Sequence, residues 1–161
     1  MKIWFDTEFI EDGRTIDLLS IGMVREDGDE LYFENAEVDR TRASPWVKEN
    51  VIPHLTGLRY SRWYIANEIT RFAGEKPEFW AYYADYDWVV LCQVFGTMMD
   101  LPKGWPMYCR DIKQLCDSLG NPKLPAQGKG EHHALADARW NKLAFEFLAS
   151  MVSRDSRIML P

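Results

Sequence analysis

Two Asp-Gly dipeptides, Asp12-Gly13 and Asp27-Gly28, punctuate the first 35 residues and fix how the chain must begin. Asp-Gly favours the tight turns whose twist matches a pair of antiparallel strands. The segments they separate, "KIWFDTEF", "TIDLLSIGMVRE" and "ELYFEN", are short and rich in aromatic and β-branched residues. Such residues suit a pleated, half-buried surface. The chain therefore opens on three hairpin-linked strands.

After residue 43 the period changes. "SPWVKENVIPHL" begins with Ser44 before Pro45, a cap followed by proline at the first helical position. "SRWYIANEITRFAG" continues as a helix, with Trp63, Ile65, Ile69 and Phe72 at near-helical spacing and Gly74 at its end. "PEFWAYYA" reads as a buried strand, "DYDWVVLCQVFGTM" as the helix after it, "WPMYCRD" as a short strand and "IKQLCDSL" as a helix. A Gly-, Pro- and Lys-rich loop precedes a final helix from about Ala134 to Met151, with Ala136, Trp140, Leu143, Ala144, Phe147 and Met151 on one stripe. The order β-β-β-α-α-β-α-β-α predicts an α/β fold, a mixed sheet of three N-terminal antiparallel strands plus two further strands, flanked by helices.

With no repeat or linker, residues 1–161 read as one domain, long enough to bury its own core. At 47% apolar residues the chain is not disordered. No run approaches the roughly 18 apolar residues that cross a bilayer, and the N-terminus has no basic flank or small-residue cleavage site of a signal peptide. Cys92, Cys109 and Cys116 form no C-x-x-C pair, so a reducing cytoplasm is the expected setting. The net charge of −6 has the wrong sign for a nucleic-acid binder held by charge alone. It suits a protein that meets phosphates through bound cations, which invert the charge of an acidic site.

Three acidic clusters stand out. In "FDTEF", Asp6 and Glu8 are i and i+2 on a strand, so both project from one face while Phe5, Thr7 and Phe9 face the other. Two carboxylates there raise each other's pKa unless a cation lies between them; a solvated strand edge is the ordinary alternative. In "YYADYDWVV", Asp85 and Asp87 stand where a strand hands over to a helix, where ligands gather in α/β sheets and where Asp also caps helices. One of the two is expected to cap. In "EHHALADARW", Asp137 lies near the start of the final helix, with His132 five residues earlier; helix geometry alone leaves His133, at i−4, equally eligible. Four carboxylates without a Cys-His set point to hard cations, Mg²⁺ or Mn²⁺. Two such ions ~3.5–4 Å apart clamp an in-line phosphoryl displacement.

The ordered set D-x-E, aromatic-Asp and H-x-x-x-x-D, here "FDTEF", "YADYD" and "HHALAD", resembles the DEDDh exonucleases of the ribonuclease H-like superfamily. The compact length and "EHHALADA" are most similar to the small bacterial and phage 3′-5′ exoribonucleases among them. The resemblance implies two bound Mg²⁺ or Mn²⁺ ions held by Asp6, Glu8, Asp87 and Asp137, with Glu8 also near the attacking water. It makes Asp85 the cap and selects His132, not His133, as general base. It also implies substrate contacts at Thr7 and Phe9, Phe9 wedging the last bases or else belonging to the core. The middle motif lacks the Asn often found a few residues before its Asp.

The activity implied is 3′-5′ hydrolysis of single-stranded RNA ends to nucleoside 5′-monophosphates. Arg59, Arg62, Lys103, Lys123 and Lys129 are candidate phosphate contacts, and the tryptophans either stack bases or fill the core, Trp4 and Trp140 above all. The aromatic-rich middle segment allows a homodimer. A DNA-trimming exonuclease of the same fold is the near alternative. A phosphoacceptor receiver domain fits poorly with the hairpin opening, and an inactive nucleic-acid-binding relative would have lost a carboxylate, whereas none is missing.

Overall fold

In the computed structural model, which describes residues 1–128 and 130–154, the hairpin opening forms as expected. Strands β1 (Lys2–Glu11), β2 (Ile16–Arg25) and β3 (Glu30–Asn35) pair antiparallel, with Gly13 and Gly28 at positive φ in the turns. Helix α1 (Pro45–Asn50) is capped by Ser44, whose Oγ accepts from the Val47 amide, but Pro53 confines the next segment to a 3₁₀ turn, Ile52–His54. A two-residue strand β4 (Arg59–Tyr60), absent from the sequence expectation, adds to the far edge. Helix α2 (Arg62–Ala73) leads to β5 (Glu78–Ala81), α3 (Asp85–Phe95), β6 (Arg110–Asp111), α4 (Ile112–Ser118) and α5 (Ala134–Arg154). The sheet order is β4-β3-β2-β1-β5-β6, six strands where five were expected, with β5 parallel to β1. β5 is shorter than the apolar run that suggested it, because Tyr82–Ala84 turn out of the sheet to start α3, and β6 keeps only the last two residues of its run.

Alternation along β1 sorts the two layers. Ile3 and Phe5 pack with Ile65, Ile69, Phe79 and Leu91 beneath α2 and α3. Trp4 turns the other way, joining Trp80, Leu115, Phe145 and Leu148 beneath α4 and α5. Two helix faces differ from expectation. Ile65 and Ile69 of α2 are buried as expected, together with Ala73, but Trp63 is 76% exposed. The buried side of α5 carries Ala134, Asp137, Ala138, Asn141, Ala144, Phe145, Leu148 and Val152; Ala144 of the expected stripe is among them, while Leu143 and Met151 are exposed. The start of the helix, where it lies close to the sheet, is lined by the small Ala134 and Ala138.

Gly22 explains how close. A Cβ at Gly22 would stand 2.3 Å from the Leu135 backbone nitrogen and Cα and 2.4 Å from the Ala134 carbonyl carbon. Real carbon contacts do not approach this, so only glycine lets the first turn of α5 rest on β2. Gly22 is also the cross-strand partner of Asp6. The contact thus fixes where α5 begins relative to β1. Gly22→Ala is expected to lift that turn at an overpacking cost of about 1–3 kcal/mol, lowering the thermal unfolding midpoint by several degrees in calorimetry.

Candidate active site

β1 and β5 pair only through Lys2, Ile3 and Trp4; beyond them the strands part. Side chains satisfy the backbone of β1 along that gap. The Thr7 amide and hydroxyl both donate to Asp87 Oδ1, at 2.8 and 2.6 Å, and Asn141 Nδ2 of α5 donates to the Phe5 carbonyl at 2.8 Å. Hydrogen bonds to a charged group contribute ~1.5–3 kcal/mol each, so Asp87 ties α3 to β1. The gap opens into a cleft of about 370 Å³ at the crevice where α/β sheets collect ligands. Its walls carry Asp6, Glu8, Phe9, Asp87, His132 and Asp137.

Asp6 and Glu8 face α5, and Asp137 descends from the helix's first turn to meet them. One carboxylate oxygen from each lies within 4.8 Å of the others. Asp87 stands beside this trio with Oδ1 committed to Thr7. Burial, reinforced by Asp87, Glu8 and Asp137, holds the Asp6 carboxyl well above the carboxylate range. Burial, then Asp137 and Asp87, pushes Glu8 up to about 8. Asp87 rises to about 6, again through burial, against the lowering effect of its Thr7 bonds. Burial also raises Asp137, opposed by Gln127 Nε2 donating to Oδ1 and the His132 amide donating to Oδ2 at 2.9 Å.

Among the described residues, no hydrogen bond reaches the Asp6 or Glu8 carboxylate and no Arg or Lys lines the cleft. Oxygen-only donors crowded together, two of them without a protein partner, are what a hard divalent cation requires. The donor set therefore fits one.

The two histidines separate cleanly. His132 lines the cleft with its ring edge-on to Trp46, centroids 4.9 Å apart, and its backbone sits at φ 69. Non-glycine residues in that region are uncommon and concentrate at functional sites. His133 turns away to stack on Tyr32, with centroids 4.5 Å apart. Phe9 packs partly on the core and stacks on the exposed Tyr86. Thr7 reaches the cleft wall but gives both donors to Asp87.

Asp85 does not cap α3 as expected. It is the first helical residue and exposed, while Ala84 holds the cap position with its amide bonded to Asp111 Oδ2. Arg59, Arg62, Lys103 and Lys123 all lie outside the cleft, Arg59 reaching the Ala36 carbonyl; Lys129 lies outside the described residues. Trp4 is buried as expected and Trp140 only partly, its Nε1 bonded to the Pro125 carbonyl. Gln127 and Asn141 are site residues that the sequence does not single out. Asn141 carries a signal, a polar residue four places after Asp137 in an apolar helix; Gln127, in a loop, carries none.

Fold and cleft together define a class, the ribonuclease H-like exonucleases of the DEDDh kind. Escherichia coli exonuclease I, in a zinc-bound complex with single-stranded DNA, superposes with a TM-score of 0.64 at 12% identity, over 97% of this chain but only 41% of that one. The RNase domain of yeast Pop2 gives a TM-score of 0.56 at 10% identity, covering 96% and 78%. The family model "3′-5′ exoribonuclease Rv2179c-like domain" matches residues 1–149, and the 3′-5′ exoribonuclease Rv2179c of Mycobacterium tuberculosis H37Rv is 40% identical over 93% of this chain and 94% of its own. The chain belongs to the Rv2179c-like 3′-5′ exoribonuclease family, and it is a hydrolytic exonuclease.

Carboxylates with raised pKa in the folded state bind more protons there than in the unfolded chain, so stability falls as pH rises through the window between. For Glu8 that window runs from 4.5 to about 8. The metal-free protein should therefore melt at progressively lower temperature from pH 5 to pH 8 in scanning calorimetry. Asp6→Asn should flatten that slope and raise the midpoint at pH 8.

Proposed function

We propose that this chain is a divalent-metal-dependent 3′-5′ exoribonuclease that releases nucleoside 5′-monophosphates from single-stranded RNA. The observation that carries the reading is the meeting of Asp6, Glu8 and Asp137 oxygens within 4.8 Å beside His132 on one cleft wall. Asp6, Glu8, Asp87 and Asp137 would hold two Mg²⁺ or Mn²⁺ ions. Such ions polarise the scissile phosphate, ease deprotonation of the attacking water and stabilise the leaving oxygen.

The protein's own groups do the rest. His132 takes the proton of the attacking water as general base, and Glu8 orients that water. The His132 amide and Gln127 fix both oxygens of Asp137. Thr7 serves the site through Asp87, which it holds against β1. Phe9, backed by Tyr86, gives the terminal base an apolar wall. Breaking the bond between phosphorus and the penultimate 3′-oxygen leaves the phosphate on the departing nucleotide and a fresh 3′-hydroxyl on the chain.

RNA rather than DNA follows the name of the 40% identical relative. The DNA-bound exonuclease I neighbours support DNA trimming as the second reading. The described residues include no helix long and apolar enough to cross a membrane, and their three cysteines are free, which supports action in the cytoplasm. The exposed Leu58, Trp63 and Tyr64 support pairing of two copies across that surface.

Mass analysis of products from 5′-labelled RNA and matched DNA, with Mg²⁺ or Mn²⁺, should show stepwise loss of 5′-monophosphates from the 3′ end, faster for RNA; faster loss of DNA would favour the second reading. EDTA should stop the reaction, and Asp6→Ala or Asp137→Ala should abolish it. His132→Ala should lower kcat by about 10²–10⁴, with His133→Ala close to wild type.

A further inference from the structure

Ser20 is fully buried, and its Oγ makes no well-formed hydrogen bond among the described residues. An unpaired buried hydroxyl carries a desolvation penalty of about 1–3 kcal/mol, and such orphans in native structures call for a reason. Its surroundings supply one. Ser20 is the β2 partner of Glu8 on β1 and of Glu34 on β3, so the three side chains form one row on the face toward α5. Directly opposed residues place their Cβ atoms about 4.5–5.5 Å apart, within reach of a hydroxyl-to-carboxylate bond.

Only one of the two flanking carboxylates has room. Glu34 Oε1 accepts from the Thr56 amide and hydroxyl, the Gly57 amide and the Tyr32 hydroxyl, while Oε2 accepts from Arg40. Tyr32 gives its own proton to Glu34, and its hydroxyl oxygen is the one other acceptor among the described residues within hydrogen-bonding range of Ser20. Glu8 accepts nothing from the described residues.

We propose that Ser20 is a positioning residue whose hydroxyl donates to the Glu8 carboxylate in the metal-bound protein. One Glu8 oxygen is then pinned toward β2 and the other is turned to the cation and the attacking water. The inference rests on the metal-dependent reading above.

Mn²⁺ titration calorimetry, thermal melting and steady-state kinetics on wild type, Ser20→Ala, Ser20→Thr and Tyr32→Phe test it. Outer partners of metal ligands typically shift metal affinity or activity 10–100-fold. Ser20→Ala should weaken Mn²⁺ binding by about tenfold and lower kcat with KM for RNA nearly unchanged, yet melt no lower than wild type without metal. Ser20→Thr should recover most of the Mn²⁺ affinity. Wild-type affinity and kcat in Ser20→Ala would overturn the proposal. So would an equal loss in Tyr32→Phe, since the hydroxyl's partner would then be Tyr32, or a lowered metal-free midpoint in Ser20→Ala, which marks a merely structural role. A wild type that neither binds Mn²⁺ nor cleaves RNA would instead remove the metal-dependent reading beneath it.

Discussion

The catalytic end of this fold depends on one backbone-to-backbone contact, the first turn of α5 resting on Gly22. Because Gly22 pairs with Asp6, the contact sets the height of the helix above the strand that carries two of the four acids. Asp137, three residues into the helix, then arrives at Asp6 and Glu8 without any flexible segment between them. Asn141, one turn further on, bonds the Phe5 carbonyl and keeps the helix in register with β1. A loop could carry the same carboxylate, but a helix seated on a sheet holds it to the tolerance that preorganised chemistry demands. The absence of a single Cβ is what converts a fold into a site.

That site works against the stability of the structure holding it. Burial raises all four carboxylates, and repulsion within the cluster adds to it at Asp6 and Glu8, so the metal-free fold carries charge it would rather neutralise. The opposing bonds are unevenly shared. Thr7 steadies Asp87, and Gln127 with the His132 amide steadies Asp137, while Asp6 and Glu8 receive no donor from the described residues. The two acids from β1 are thus the most dependent on a cation, and the two from helices are held ready for one. Strain at His132, with positive φ, belongs to the same balance.

Much of this is legible in the sequence because it obeys local rules. Period-2 runs and Asp-Gly turns mark β1 to β3, Ser44-Pro45 marks the start of α1, and i, i+2 spacing puts Asp6 and Glu8 on one face. The choice of His132 over His133 comes from the motif, and the structure places His132 on the cleft and His133 on Tyr32. The features that sequence misplaces all require knowledge of distance. The α5 stripe is one, because Leu143 and Phe145 are equally apolar in sequence and only the seat of the helix on the sheet decides which is buried. Asp85 looks like a cap because Asp suits that role, yet the turn from β5 gives the position to Ala84, whose amide Asp111 binds from β6. The partners of Asp87 and Asp137, Thr7 and Gln127, lie 80 and 10 residues away in sequence. Hydrogen bonds across such separations leave no periodic trace.

The overall charge bears on how the substrate is held. At −6, with no Arg or Lys among the described residues lining the cleft, the chain should repel a polyphosphate at long range. Two features of the cleft offer attraction without side-chain cations. Aromatic surfaces at the cleft, Phe9 on Tyr86 and Trp46 against His132, offer stacking that does not weaken with salt as phosphate contacts do. Metal ions held by the acidic cluster would reverse the local sign where the terminal phosphate must sit. In such an arrangement affinity and catalysis draw on the same cations, so the nucleic acid is bound well only in a site already able to cut it.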